Sequence, residues 1–375
     1  GKTDTAIYVL ARNSGEGADR KAEKGDYYLT DNEAANLKLL GQKFKNVVVV
    51  LNTGGIVDTN FFNGKGGYAA NDSLNRSKIE GLDSLVLMSQ AGMNGGRALV
   101  QILNGEVNPS GKLTDTWAVD YNDYPSSATF SWNDAVHKDG ETKEESNAAN
   151  TAATAEEVYN DDIYVGYRFF DTFGKKVAYE FGYGESYTDF DIKVKTVKAD
   201  AENISVVAEV KNTGKVTGKE VVEVYFSAPE GNLDKPYQEL AAYGKTDELA
   251  PGESQTLTIS YNTTEMSSYS EEKAAYIMEA GDYVVRVGNS SRNTKAAAVI
   301  SLDETAVTEQ LSNQLAQDKE ITELSNKDAT PYTYDGEADE IAAATAISLA
   351  AADIRTVDNS SEYEDETVTA YVSDT

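Results

Sequence analysis

Residues 6–20 read AIYVLARNSGEGADR. The first five have the unbroken apolar character of a strand buried on both faces, and the chain then breaks into a polar loop in which one carboxylate, Glu16, stands between two glycines. Glycine on either side removes the side chains that would crowd this carboxylate, frees the backbone to turn, and lets a bulky ligand approach. A lone loop glutamate is by default a solvated acid. Asp19 and Arg20 close the same loop, and their ordinary role there is to position it through local hydrogen bonds and an ion pair.

Outward from this stretch the pattern repeats. VVVVL (47–51) and SLVLM (84–88) read as further fully buried strands, and DNEAANLKLLGQKF (31–44) and GGRALVQILNG (95–105) as intervening helices, the first capped by Thr30 or Asp31. Strand and helix alternating over about residues 5–118 predict a parallel sheet with helices on its faces. Ligands meet such sheets at the carboxyl ends of the strands, which makes NSGEGADR (13–20), LNTGG (51–55) and SQAGMNGG (89–96) candidate site loops. NGKGGYAAN (63–71) lacks the glycine spacing and lysine of a phosphate cradle and reads as a loop near the site.

Further along, residues 133–157 are polar, acidic and rich in Ala, Asn and Thr, the texture of a surface loop. From Asp191 to about Leu302 short alternating segments such as ISVVAEVKNTG and GDYVVRVGNSS are separated by Gly, Pro and Asn turns, which predicts an antiparallel β-sandwich of immunoglobulin type. The predicted organisation is an incomplete α/β domain at 1–132, an acidic loop and aromatic connector at 133–189, a β-sandwich at 190–302, and an acidic tail or linker at 303–375. The connector's Tyr159, Tyr164, Tyr167, Phe169 and Phe170 read as packing groups. The tail has 18 Asp and Glu against 3 Lys and Arg.

Composition narrows the chemistry. Lys and Arg number 33 against 63 Asp and Glu, a formal charge of −30, and such a surface repels nucleic acid and anionic membranes. With no cysteine, thiol catalysis, disulfides and zinc–thiolate sites are excluded, and the single His137 removes histidine metal clusters and disfavours serine-hydrolase triads. No run of about 18 apolar residues predicts a membrane-spanning helix. No metal and no organic cofactor is expected.

Four blocks in order, NSGEGADRKAEKGDYYLTDNEAANL (13–37), VVVVLNTGG (47–55), LMSQAGMNGGRALVQILNGEVNPSGKLTDTW (87–117) and IYVGYRFFDTFGKKVAYEFGYGESYTDF (163–190), resemble the family 3 glycoside hydrolases of β-glucosidase type. KNTGKVTGKEVVEVYFSAP (211–229), residues 234–261 and AGDYVVRVGNSSR (280–292) resemble that family's fibronectin type III-like domain. The resemblance covers roughly residues 5–302. It implies a retaining β-glycosidase acting on β-glucosides, with Glu16 as the general acid/base and Asp19 and Arg20 binding substrate or positioning the loop. It also implies a partner absent from these residues, an (α/β) barrel carrying an aspartate nucleophile in a Ser-Asp-Trp segment. Ser373-Asp374-Thr375 lacks the aromatic residue and is rejected. The family's pattern further implies that the sheet lacks its first strands and that the chain is the middle of a longer, circularly permuted enzyme. Asn94 and Glu185 depart from the pattern, the first beneath the site and the second in the connector. The rival readings are a non-catalytic carbohydrate-binding or scaffolding module and a nucleotide-binding α/β protein.

Overall fold

The computed structural model describes residues 3–13, 20–128, 159–314 and 321–361. Glu16 and Asp19, together with Trp132 and His137, lie outside the described residues. The chain divides into two compact units, one made of residues 1–161 and 175–186, the other of 162–174 and 187–375.

In the first unit, β1 (Thr5–Ala11), β2 (Asn46–Asn52) and β3 (Ser84–Leu87) form a parallel sheet in that order. Helix α1 (Asp31–Lys43) makes the first crossover. It starts where Thr30 accepts a hydrogen bond from the Glu33 amide (3.1 Å) while the Glu33 carboxylate accepts one from the Thr30 amide (2.8 Å). This reciprocal cap satisfies two donors that the first turn would otherwise leave bare. A short helix α2 (Asn60–Asn63) follows β2, and α3 (Gly95–Leu103) follows β3. Strand β4 (Trp117–Ala118) pairs antiparallel with β5 (Val177–Tyr179); between them in the sequence comes helix α4 (Tyr167–Thr172), which belongs to the second unit.

The core of the first unit gathers Leu10, Leu37, Val49, Leu51, Phe61 and Trp117, all at most 5% exposed. Only β2 is enclosed on both faces. The expectation that β1 and β3 are fully buried is corrected here: Ile7 and Val9 are about half exposed and Leu87 is 40% exposed. The reason is topological, since the strand order makes β1 and β3 the flanks of the described sheet, with α1 packed against the Leu10 side. Helix α3 also keeps Val100 at 52% exposure despite its apolar sequence.

The second unit is a β-sandwich. β6 (Phe190–Ala199), β7 (Asn203–Asn212) and β10 (Ser254–Asn262) form one sheet in the order β10-β7-β6. β8 (Val221–Ser227), β9 (Glu239–Lys245), β13 (Gly281–Gly288) and β14 (Thr294–Leu302) belong to a five-stranded sheet, and β11 (Ser268–Ser270), β12 (Ala275–Met278) and β15 (Ala306–Gln310) to a four-stranded one. β7 alternates strictly, turning Ile204, Val206, Ala208 and Val210 inward onto Val222, Val224, Val285 and Ile300. Of the connector aromatics, Tyr164, Phe169 and Phe170 are buried, whereas Tyr159 is 82% exposed.

The segment expected as an acidic tail supplies structure of its own. Helix α5 (Glu337–Ala343) leads into β16 (Thr345–Leu349), which adds parallel to β14, and β17 (Val357–Asp358) adds parallel to β15. Glu337 anchors it: its carboxylate receives Arg286 Nη2 at 2.8 Å and the hydroxyls of Thr333 (2.6 Å) and Tyr237, and Glu337 and Arg286 are both buried. Leu349 and Ile354 then join the sandwich core.

Candidate active site

The site region is the carboxyl end of the β1-β2-β3 sheet. β1 hands over to the polar loop at Arg12, whose amide still donates to Asn52 O at 3.2 Å and so extends the β1–β2 ladder by one rung. The Arg12 side chain is buried and its donors are saturated. Nη1 and Nη2 grip the two oxygens of Glu33 at 2.8 and 2.9 Å, Nε donates to Asp26 O at 2.7 Å, and the remaining bonds go to Ala11 O and Tyr28 O. Glu33 therefore caps α1 and holds Arg12 with the same carboxylate. Burial pushes its pKa up, but Arg12 and the Thr30 amide outweigh that and hold the carboxyl below its ordinary range.

On the far side of the loop stands Arg20. Its Nε donates to Asp26 Oδ1 at 2.6 Å, Nη2 to Asp26 O at 3.2 Å and Nη1 to Ile56 O at 2.8 Å, while the Lys21 amide donates to Asp26 Oδ2 at 2.7 Å. Gly55 makes room for this arm, since a Cβ there would stand 2.7 Å from Arg20 Nη1. The glycine of LNTGG thus serves an arginine from another strand end. Of the residues singled out in the sequence, Arg20 lies in this cluster. Glu16 and Asp19 fall in the span between its two arginines, outside the described residues.

Beside the clasp is a second polar cluster. The Asp58 amide donates to Tyr27 O, and its nearly inaccessible carboxylate accepts from the Asn60 amide (3.1 Å) and side-chain Nδ2 (2.6 Å). Asn60 also donates to Val119 O and accepts from the Gly66 amide, tying three loops together. Burial pushes Asp58 up to about 7, only partly opposed by the Asn60 bonds and by Arg76. Arg76 lies 3.8 Å over the Tyr68 ring and bonds Asp72 and Asp120, both at 3.0 Å. Tyr68 donates its hydroxyl to Asp120 at 2.8 Å. For Asp120, burial alone would raise the pKa, but the Asn122 amide, Tyr68 and Arg76 together bring it down. The loop read as lying near the site, 63–71, is thus held by Asn60 and Asp120. Among the described residues no three His, Cys, Asp or Glu side chains converge as a metal set.

Arg12, Asp26, Asp58 and Arg76 were not singled out by the sequence. Their side-chain partners range from 2 residues away, Asp58 with Asn60, to 44, Arg76 with Asp120, along loops without periodicity, and the only local signal was a charged residue beside a strand end. Trp117 is a core residue, 5% exposed with its ring edge-on to Tyr179. Glu185 accepts from the Tyr183 hydroxyl at 2.8 Å, and Asn94 precedes α3 without capping it through its side chain.

Residues 1–167 match the glycosyl hydrolase family 3 C-terminal domain, and residues 220–291 match the fibronectin type III-like domain. The chain is 38% identical over 320 residues to a β-glucosidase of Ruminococcus albus, with 84% of this chain and 30% of that protein covered. It is 37% identical over 357 residues to β-glucosidase A of Butyrivibrio fibrisolvens, covering 83% of the chain and 39% of the relative. A solved β-glucosidase from Paenibacillus barengoltzii superposes with a TM-score of 0.70 at 37% identity, over 83% of this chain and 32% of that one. The chain spans about a third of the length of these relatives.

Proposed function

The chain belongs to glycosyl hydrolase family 3, carrying the C-terminal domain and the fibronectin type III-like domain of that family, and we propose that it supplies the acid/base half of a retaining β-glucosidase active site. In this reading Glu16 hands a proton to the departing glycosidic oxygen and later takes one from the attacking water. The other half, an aspartate nucleophile on an (α/β) barrel, comes from outside these 375 residues. Retaining hydrolysis needs one carboxyl protonated and a second ionised about 5 Å away to attack the anomeric carbon. The two states are kept apart by environment: a carboxyl closed in beneath sugar and barrel loses its water, and desolvation raises its pKa into the range where it is a useful acid.

The observation that carries this reading is the pair of arginine anchors at the carboxyl end of β1. Six residues of the sequence SGEGAD separate Arg12 and Asn13 from Arg20, and both arginines are bonded to Asp26. Asp19 and Arg20 keep their proposed part in positioning that span or contacting substrate, and β-glucosides are the proposed substrates.

The test is Glu16→Gln in the chain joined to a family 3 barrel. Glutamine keeps the size and hydrogen bonding of the side chain and removes the deliverable proton. Cellobiose hydrolysis should fall about 100- to 10,000-fold, the usual worth of general acid catalysis. Unchanged cellobiose turnover would remove Glu16 from the mechanism and favour a sugar-binding role without catalysis.

A further inference from the structure

We propose that a row of side chains on the four-stranded sheet of the second unit, Tyr269, Tyr276, Glu309 and Val357, is a docking surface for a neutral chain of β-linked glucose units. The choice of β-linked glucose rests on the β-glucoside reading above; the row itself is read from the sheet. Tyr269 of β11 stands opposite Tyr276 of β12, Tyr276 opposite Glu309 of β15, and Glu309 opposite Val357 of β17. Register partners project from the same face, so the four make one rung across all four strands, about 14 Å long at about 4.8 Å per strand. Tyr269, Tyr276 and Val357 are 39%, 40% and 42% exposed. The strands beneath are anchored: Ala275 and Ile277, on either side of Tyr276, are buried, and Met278 and Ala306 belong to the sandwich core.

The two tyrosine rings lie 5.2 Å apart between centroids and are tilted by 58°. A cross-strand aromatic pair stabilises a hairpin by itself, but that role needs none of the polar groups set around this one. Tyr269 donates its hydroxyl to Asn313 Oδ1 at 2.8 Å, and Asn313 in turn donates to Glu271 O at 2.9 Å, which fixes the ring. Beyond Tyr276, the Glu309 carboxylate accepts from Asn359 Nδ2 at 2.8 Å. Apolar ring faces suit the C–H face of a pyranose. A carboxylate beside a carboxamide offers an acceptor and a donor to sugar hydroxyls, which themselves donate and accept. Charge sorts the other candidates. The chain carries −30 and the one charged group of the row is an acid, so polyanions are repelled. A cationic chain finds a single carboxylate in the row, and that one already holds Asn359. A neutral, hydroxyl-rich chain meets neither obstacle.

Affinity electrophoresis of the 375-residue chain through gels holding a soluble mixed-linkage β-glucan tests this, with dextran as the α-linked control. The parent chain should be retarded by β-glucan and not by dextran. A Tyr269→Thr, Tyr276→Thr double variant, in which threonine keeps the preference for strand, should bind β-glucan about tenfold or more weakly. Tyr276→Phe keeps the ring face and should bind nearly as the parent does. No retardation of the parent, equal retardation of parent and double variant, or equal retardation by dextran would each overturn the proposal. Should the double variant fail to fold, nitration of the parent by tetranitromethane reads the same row without a substitution. β-Glucan should slow modification of Tyr269 and Tyr276 and leave Tyr243 of β9, 70% exposed, unchanged; absence of that protection overturns the proposal, as does protection by poly-lysine in place of β-glucan. The Glu16→Gln chain should be retarded as the parent is. Failure of the tyrosine row therefore leaves the acid/base reading standing, and a Glu16→Gln enzyme with intact cellobiose turnover defeats that reading without altering the retardation.

Discussion

At the scale of single residues, the site region is held by polar side chains in places where solvent cannot help them. Asp58 is the sharpest case. Its ordinary pKa of 3.8 is raised to about 7 by burial, so between these values the folded chain holds a proton that the unfolded chain has released. Fewer protons bound by the unfolded state means that stability falls as pH rises across this window, by about 1.4 kcal/mol per unit and up to about 4 kcal/mol in all. Above pH 7 the loss is complete. Asp58→Asn keeps an acceptor for Asn60 and cannot ionise. Measured by urea unfolding, the variant should gain on the parent by roughly 3 kcal/mol on going from pH 5 to pH 8, and parallel pH profiles would show that Asp58 is already ionised in the fold. None of this was visible in LNTGGIVDTNFF, because an aspartate two residues before an asparagine reads as turn chemistry until the burial is known.

At the scale of elements, what the sequence made legible is what short-range pattern controls. VVVVL could only be an enclosed strand, β7 alternates as its letters alternate, and Thr30 with Glu33 three residues on announces the start of α1. Thr30→Ala should destabilise the first unit by about 1 kcal/mol, read as a drop in its unfolding midpoint, because one end of the reciprocal cap is lost; no change would mean that Arg12 alone orients Glu33. The segment after Leu302 was not legible. IAAATAISLAAADI fits helix and strand equally, its charge suits a solvated tail, and its strands pair parallel with partners 40 or more residues back, which no local pattern records. One buried contact shows that it is a structural part of the sandwich. Glu337→Ala strips the partner from Arg286, whose side chain is 3% exposed, and an uncompensated buried charge costs about 3–5 kcal/mol. Calorimetry of the second unit should show that loss, and a midpoint unchanged within about 1 °C would mean the helix is only laid against the sandwich.

For the whole molecule, the family resemblance in the sequence foretold both domain types, an α/β unit followed by a fibronectin type III-like sandwich, and the comparisons agree. The residue expected to do the chemistry lies outside the described residues, and the cluster of Arg12, Arg20, Asp26 and Gly55 became visible only when the fold brought those four together. One carboxylate cannot form a glycosyl-enzyme intermediate without a second. The 375-residue chain alone should therefore hydrolyse aryl β-glucosides at background rate, and robust turnover in a direct assay would reveal a nucleophile within it. The most direct test of the central claim uses Glu16→Gln in the barrel-joined enzyme with a dinitrophenyl β-glucoside and added azide. The leaving group departs without a proton, so the covalent intermediate forms and then stalls for want of a base to activate water. Azide needs no such base, and the account predicts a rate restored about tenfold or more with β-glucosyl azide of retained configuration as product. A variant that ignores azide and slows good and poor leaving groups alike would contradict it.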